Sequence, residues 1–172
     1  MPACTHIIFK QQSLSVLPLL QSNFQLPSLE RWEFAHSWHD SNNDEQGISA
    51  LQVIQAKSFY FELCGNCQGL FDLLQFKDEI ELLELQIGIW FPVQTILLRF
   101  SEVNENTGKV PYPNMKVLDL QFFLHANNTE QFINQSCIQM MDRRRLIGHP
   151  MEKCRIWWNS ARSGPPSLLL RA

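Results

Sequence analysis

The chain has 172 residues, of which 45% are apolar and 18% are charged, with 9 Pro and 7 Gly. This composition excludes a wholly disordered or collagenous chain and fits one soluble domain. The longest apolar stretch, residues 87–93, is too short to span a bilayer, so we expect no membrane contact. Five cysteines, an odd number, give no disulfide framework and favour the cytoplasm. The net charge of −3 divides into −8 over residues 1–140 and +5 over residues 141–172, which indicates contact with a polyanion or a charged protein.

The first elements predicted in chain order are one strand and two short helices. Residues 6–9 read as a strand, and leucines in residues 13–23 have helical spacing that Pro18 limits to a turn or two. Ser28 is a candidate N-cap, and apolar and aromatic residues recur at helical spacing over residues 29–39. We therefore expect helices on the N-terminal side of the sheet.

The middle of the chain has strand character, with β-branched and aromatic residues in short alternating runs. The predicted strands cover residues 59–63, 80–89, 95–100 and 118–124, and a loop is expected at residues 104–114. An extra residue after Leu82 fits a β-bulge, although residues 79–84 also fit a helix. Residues 118–124 show the clearest alternation and predict the best-defined strand.

The last third predicts a helix that begins at Asn128 and ends near Gly148. Its apolar stripe consists of Phe132, Ile133, Cys137, Met140 and Met141. Residues 154–158 have room for a short strand or turn, and residues 163–167 are expected to be irregular.

No internal repeat is evident in the sequence. These elements predict one α+β domain over residues 1–150, followed by a basic, aromatic C-terminal extension over residues 151–172. The sheet is expected to be mostly antiparallel or mixed, to occupy the middle of the chain, and to have its flanking helices on one face.

The motif Cys64-Gly65-Asn66-Cys67 has the spacing of half a zinc site or of a redox dithiol. Only His36 and His39 offer a second ligand pair, and a closed zinc site needs four ligands. The histidines with Ser37 and Asp40 also form a base, hydroxyl and carboxylate cluster, but adjacency in sequence does not align a nucleophile with its base. No phosphate-binding loop or catalytic motif occurs. We expect no metal, no cofactor and no catalytic residues.

The candidate contact site is the basic and aromatic C-terminal region. Guanidinium groups bind phosphate, and indole rings stack on unpaired bases or anchor protein interfaces. The alternatives are a solvated tail, or a tail that folds back on the acidic body. The candidate residues are Arg143, Arg144, Arg145, Lys153, Arg155, Trp157, Trp158 and Arg162.

These observations predict a non-enzymatic accessory subunit of a larger assembly, such as a ribonucleoprotein or a nucleic-acid-processing complex. It would contact RNA, another single-stranded nucleic acid or a protein subunit through its basic C-terminal region. One alternative is a small zinc- or thiol-dependent protein centred on Cys64 and Cys67. Another is a carrier of apolar ligands, for which the 12 Phe residues are the only support.

Overall fold

The computed structural model describes residues 5–10, 29–35, 55–63, 77–87, 93–122, 127–158 and 166–171. The strands and helices in these ranges are β1 (His6–Lys10), β2 (Arg31–Ala35), β3 (Ser58–Leu63), β4 (Leu82–Ile87), α1 (Val93–Arg99), β5 (Val117–Phe122), α2 (Asn127–Leu146), β6 (Lys153–Trp158) and β7 (Leu168–Arg171). The helix expected over residues 13–23 lies outside the described residues.

Within the described residues, seven strands form one sheet in chain order, from β1 at one edge to β7 at the other. Neighbouring strands from β1 to β6 are parallel, and only β7 is antiparallel to its neighbour. The sheet is therefore mixed, which was one of the two expected alternatives, and the other alternative, a mostly antiparallel sheet, is wrong. Its strands run from residue 6 to residue 171 and are not confined to the middle of the chain. Alternation of apolar residues is the same in both kinds of pairing. Strand direction depends on the connection, and parallel neighbours need a long one.

The strands repeat, which the sequence analysis did not find. The six parallel strands begin 24 to 36 residues apart. From β2 to β6, a buried apolar residue lies two positions before each strand. Further buried apolar residues lie at the second and fourth positions of each strand, wherever the side chain is described. Solenoid proteins have this sheet order, in which each repeat packs only against its neighbours. The repeat is hidden because its residue types change from strand to strand. Its members are Leu29, Trp32; Ala56, Phe59, Phe61; Ile80, Leu83, Leu85; Met115, Leu118, Leu120; Met151, Cys154, Ile156.

Two elements differ in type from their prediction. The helix expected over residues 29–39 is wrong at residues 31–35, which form β2. Leu29 and Trp32 are three positions apart because the chain enters the strand between them, and this spacing resembles a helical stripe. The strand expected at residues 95–100 is also wrong, because α1 occupies residues 93–99.

Several other predictions are confirmed. β1, β3, β5, β6 and α2 lie where the sequence placed them, and residues 104–114 form a loop of turns. β4 pairs without interruption with both neighbours, so the expected bulge is absent from it. The helix α2 ends before Gly148, whose φ of 82° is a conformation that suits glycine.

The two faces of the sheet differ. One face, called the core face, carries the repeated apolar side chains and forms the hydrophobic core with α1 and α2. Cys137 of α2 contacts Cys154 of β6 there, and this hydrogen bond, together with burial, raises the pKa of the Cys154 thiol. The opposite face, called the polar face, carries the first, third and fifth side chains of each parallel strand. The described helices therefore pack on the core face.

Candidate binding face

The polar face contains a row of side chains in register across the sheet. Each occupies the third position of its parallel strand, and Leu169 continues the row in β7. The row is Ile8, Glu33, Tyr60, Glu84, Asp119, Arg155 and Leu169. It begins and ends with apolar residues that are 48% and 40% exposed, and the charged residues lie between them.

Arg31 links the acidic residues in the β2–β4 part of the polar face. Its Nε donates to Oε1 of Glu33 at 2.7 Å, and its Nη1 donates to Oγ of Ser58 at 3.1 Å. The same guanidinium forms an ion pair with Glu84, two strands away. Burial acts to lower the pKa of Arg31, but the two carboxylates outweigh it and raise that pKa. These contacts hold the acidic part of the face in a defined arrangement.

A second ion pair lies in the β5–β6 part of the polar face. Arg155 donates to both carboxylate oxygens of Asp119, at 2.6 Å from Nε and 2.5 Å from Nη2. Its guanidinium carbon also lies 5.6 Å from the ring centroid of Trp157. Bidentate contact between arginine and carboxylate is a strong, geometrically specific interaction. Arg155 is therefore held in place and largely neutralised.

The structure divides the predicted contact residues of β6 between the two faces. Lys153, Arg155 and Trp157 lie on the polar face, and the side chain of Trp157 is buried. Trp158 lies on the core side, where its ring stacks on Phe122 with centroids 4.7 Å apart. Neither indole therefore offers a fully exposed plane for stacking on a base.

Arg144 is buried in the helix layer and binds backbone carbonyls. Its Nη1 donates to the oxygens of Phe100 and Pro111 at 2.6 and 2.9 Å, and its Nη2 donates to that of Tyr112 at 2.8 Å. A fourth bond joins Nε to the carbonyl of His149 at 3.2 Å. Burial lowers the pKa of Arg144 to about 10, so the side chain stays charged at neutral pH. Arg144 thus joins the end of α2 to the loop before β5.

The other two arginines of α2 are exposed. Arg145 forms an ion pair with Asp142 at 2.9 Å, one helical turn away, and Arg143 points into solvent. Because α2 packs on the core face, these arginines lie on the opposite side of the sheet from Lys153 and Arg155. Arg162, the last predicted contact residue, lies outside the described residues.

Sequence reasoning did not bring the acidic residues of the polar face together in one site, and it missed the whole of β7. Glu33, Glu84 and Asp119 each lie between two apolar strand residues, which is the signal that places a charge on the solvent face of a strand. In β7, Leu169 and Arg171 lie on the polar face, opposite Arg155 and Lys153. A run of three leucines in four residues does not show which of them is exposed.

The residues considered for metal or redox chemistry, Cys64 and Cys67 with His36 and His39, lie outside the described residues, as does Asp40. Within the part that is described, no group of three or more His, Cys, Asp or Glu side chains is placed to hold a metal ion.

No helix in the described ranges is long and apolar enough to cross a membrane. Comparison of the chain with family models, with curated proteins and with solved structures found no match.

Proposed function

We propose that the protein is a non-enzymatic accessory subunit that docks a protein partner on the polar face of its sheet. One observation carries this proposal: the charge on the polar face changes sign across the sheet. The side between β2 and β4 has a net negative charge, from Glu33, Glu62 and Glu84 against Arg31. The side between β5 and β7 has a net positive charge, from Lys153, Arg155 and Arg171 against Asp119. Such a pattern favours one partner in one orientation.

The shape of the sheet supports a docking role. Parallel strands that follow one another in chain order present a continuous face, and solenoid proteins bind partners on extended surfaces of this kind. The third-position row begins at Ile8 and ends at Leu169, whose exposed apolar side chains add contact area at both edges. Paired charges between them are already oriented, which reduces the entropy lost when a partner binds.

A protein partner fits this face better than RNA does. The acidic residues of β2–β4 repel a phosphate backbone that would follow the sheet. Trp157 is buried and Trp158 stacks on Phe122, so the described indoles lack the open planes that single-stranded bases use. RNA is the second candidate partner, because Lys153, Arg155 and Arg171 lie together at one end of the face. We also propose the cytoplasm as the compartment, because five cysteines give no disulfide framework.

Affinity purification from native extract, with and without nuclease, tests the proposal. The first variant, Ile8→Glu/Leu169→Glu, places charges at both apolar ends of the polar face. The matched control, Phe132→Glu/Leu146→Glu, changes two apolar residues of α2 that are 63% and 83% exposed. Both variants add the same charge at exposed positions, so both should fold.

We expect the first variant to lose a stoichiometric protein partner that the wild type and the control retain, with or without nuclease. Loss of the partner from the control alone would move the docking surface to α2. Release of the partner by nuclease would favour RNA. Turnover of a substrate by a lone monomer would contradict the non-enzymatic role.

A further inference from the structure

Two cations lie directly opposite each other at the basic end of the polar face. Lys153 of β6 pairs with Arg171 of β7 in antiparallel register, which places both residues at polar-face positions. At this edge of the sheet Arg171 also lines a pocket with Asp142 and Arg145 of α2. Like charges at directly opposite positions destabilise a sheet. Among the described residues, neither cation has an ion pair, whereas Arg31 and Arg155 are both paired with carboxylates. This unneutralised pair is a site where an anionic group would relieve repulsion.

The surroundings of the cation pair indicate what kind of anion it takes. Leu169 is the next residue of β7 on the polar face and is 40% exposed, opposite Arg155. Asp119 already neutralises Arg155, so the excess positive charge comes from Lys153 and Arg171. A carboxylate next to an apolar side chain complements this arrangement, because one group meets the cations and the other covers Leu169. An acidic peptide segment has both groups.

An unpaired negative charge lies on the polar face three strands away from β6, near the opposite ends of the strands. Glu62 occupies the fifth position of β3, and it has no cationic partner within the described residues. From the strand spacing and the rise per residue, Glu62 and Lys153 are roughly 20 Å apart on the diagonal. An extended segment of about six residues spans this distance.

We propose that the polar face binds an extended segment of the partner protein whose acidic end lies on Lys153 and Arg171. A basic residue about six positions along the segment lies on Glu62. An apolar residue next to the acidic end covers Leu169. This inference rests on the proposed function, and it adds the charge pattern and the orientation of the partner.

Labelled synthetic peptides of about ten residues test the inference by fluorescence anisotropy at two salt concentrations. The test peptide carries two glutamates and a leucine at one end, and two lysines about six positions further on. A second peptide replaces glutamate by glutamine, a third exchanges glutamate and lysine, and oligouridylate of similar length serves as the nucleic-acid probe.

The protein variants are matched in charge. Lys153→Glu/Arg171→Glu reverses the cation pair. Lys109→Glu/Arg143→Glu makes the same charge change at two exposed positions, in the loop before β5 and on α2, that do not line the pocket next to Arg171. We expect the first variant to bind the test peptide about tenfold or more weakly and the second to bind it as the wild type does. A triple variant with Glu62→Lys added to the first should prefer the charge-exchanged peptide.

The single variant Lys153→Glu separates binding from folding. It converts the cross-strand repulsion into an attraction with Arg171. Its thermal midpoint should therefore equal or exceed that of the wild type, while its affinity for the test peptide falls. A loss of binding accompanied by unfolding would contradict this account of the cation pair.

Three results of the peptide experiment would overturn the inference. One is the lack of saturable binding of the test peptide to the wild type. Another is equal binding of the glutamine peptide. The third is tighter binding of oligouridylate that depends on Lys153 and Arg171, which would assign the pair to nucleic acid. If Ile8→Glu/Leu169→Glu loses the native partner and Lys153→Glu/Arg171→Glu keeps it, the proposed function stands and this inference fails.

Discussion

The two faces of the sheet use the same strands in different ways. On the core face, side chains such as Leu118 are fully buried against α1, α2 and neighbouring strands. On the polar face, the next residue, Asp119, holds Arg155 by two hydrogen bonds. The core face stabilises the fold by burying apolar surface, an effect that does not depend on direction. The ion pairs of the polar face add little net stability, but they hold charges in fixed positions, which serves recognition more than stability.

The largest expected effect on stability is at Arg144, in the helix layer that packs on the core face. Arg144→Met keeps the length of the buried side chain but leaves the carbonyls of Phe100, Pro111, Tyr112 and His149 without this donor. The carbonyl of Tyr112 keeps its bond from the amide of Met115. Each of the other acceptors left unsatisfied costs ~1–3 kcal/mol, so the free energy of unfolding should fall by on the order of 4 kcal/mol. Urea denaturation followed by circular dichroism measures this change.

Arg143→Met is the control for Arg144→Met, since Arg143 is exposed on the same helix. Its free energy of unfolding should stay within about 0.5 kcal/mol of the wild type. Equal stability of the two variants would show that the hydrogen bonds of Arg144 do not hold the loop before β5. In that case the attachment of the helix layer to the core face would depend on apolar packing alone.

A neighbouring pair of residues in β5 compares the two faces directly. Leu118→Ala removes a fully buried side chain from the core face and should lower the free energy of unfolding by about 3 kcal/mol. Val117→Ala changes the half-buried position before it, on the polar face, and should lower it by about 1 kcal/mol or less. Denaturant titration of both variants measures the difference. A larger effect at Val117 would mean that the two faces have been assigned the wrong way round.

The smallest expected effect concerns the charges at the amino-terminal ends of the strands. Glu81 accepts a hydrogen bond from Lys116 at 2.7 Å, and this bond and the charge of Lys116 lower the pKa of Glu81 from its usual 4.5. Protonation is then less favourable in the folded state than in the unfolded state. The contribution of the pair to stability is complete above pH 4.5 and is lost as the pH falls through the lowered pKa of Glu81.

Thermal melts between neutral pH and pH 3 of the wild type and of Lys116→Met check this contribution. The small difference in melting temperature between them should disappear in acid, because the pair no longer exists once Glu81 is protonated. Both groups are exposed, so added salt should also reduce the difference. A difference that grows in acid would contradict the sign of the pKa shift.

The spacing of apolar residues predicted those elements in which it clearly matches either the alternation of a strand or the three-to-four spacing of a helix. The alternation of Leu118, Leu120 and Phe122 predicted β5, and apolar residues three and four positions apart predicted α2. The spacing led to a wrong prediction where a strand and a helix can have the same spacing of apolar residues. Leu29 and Trp32 are three positions apart where the chain enters a strand, and the same spacing is close to one turn of a helix. Phe132 belongs to the apolar stripe of α2 by spacing and is nevertheless exposed.

By itself, the sequence determined the alternation of apolar and charged residues, the long C-terminal helix and the gathering of positive charge after residue 140. These properties are local, because each depends on residues a few positions apart. Only the tertiary structure decided that the strands are parallel and in chain order. It also divided the basic residues, burying Arg144 among carbonyls and leaving Lys153 opposite Arg171. Burial and register depend on contacts between residues far apart in the chain, and no local pattern encodes those contacts.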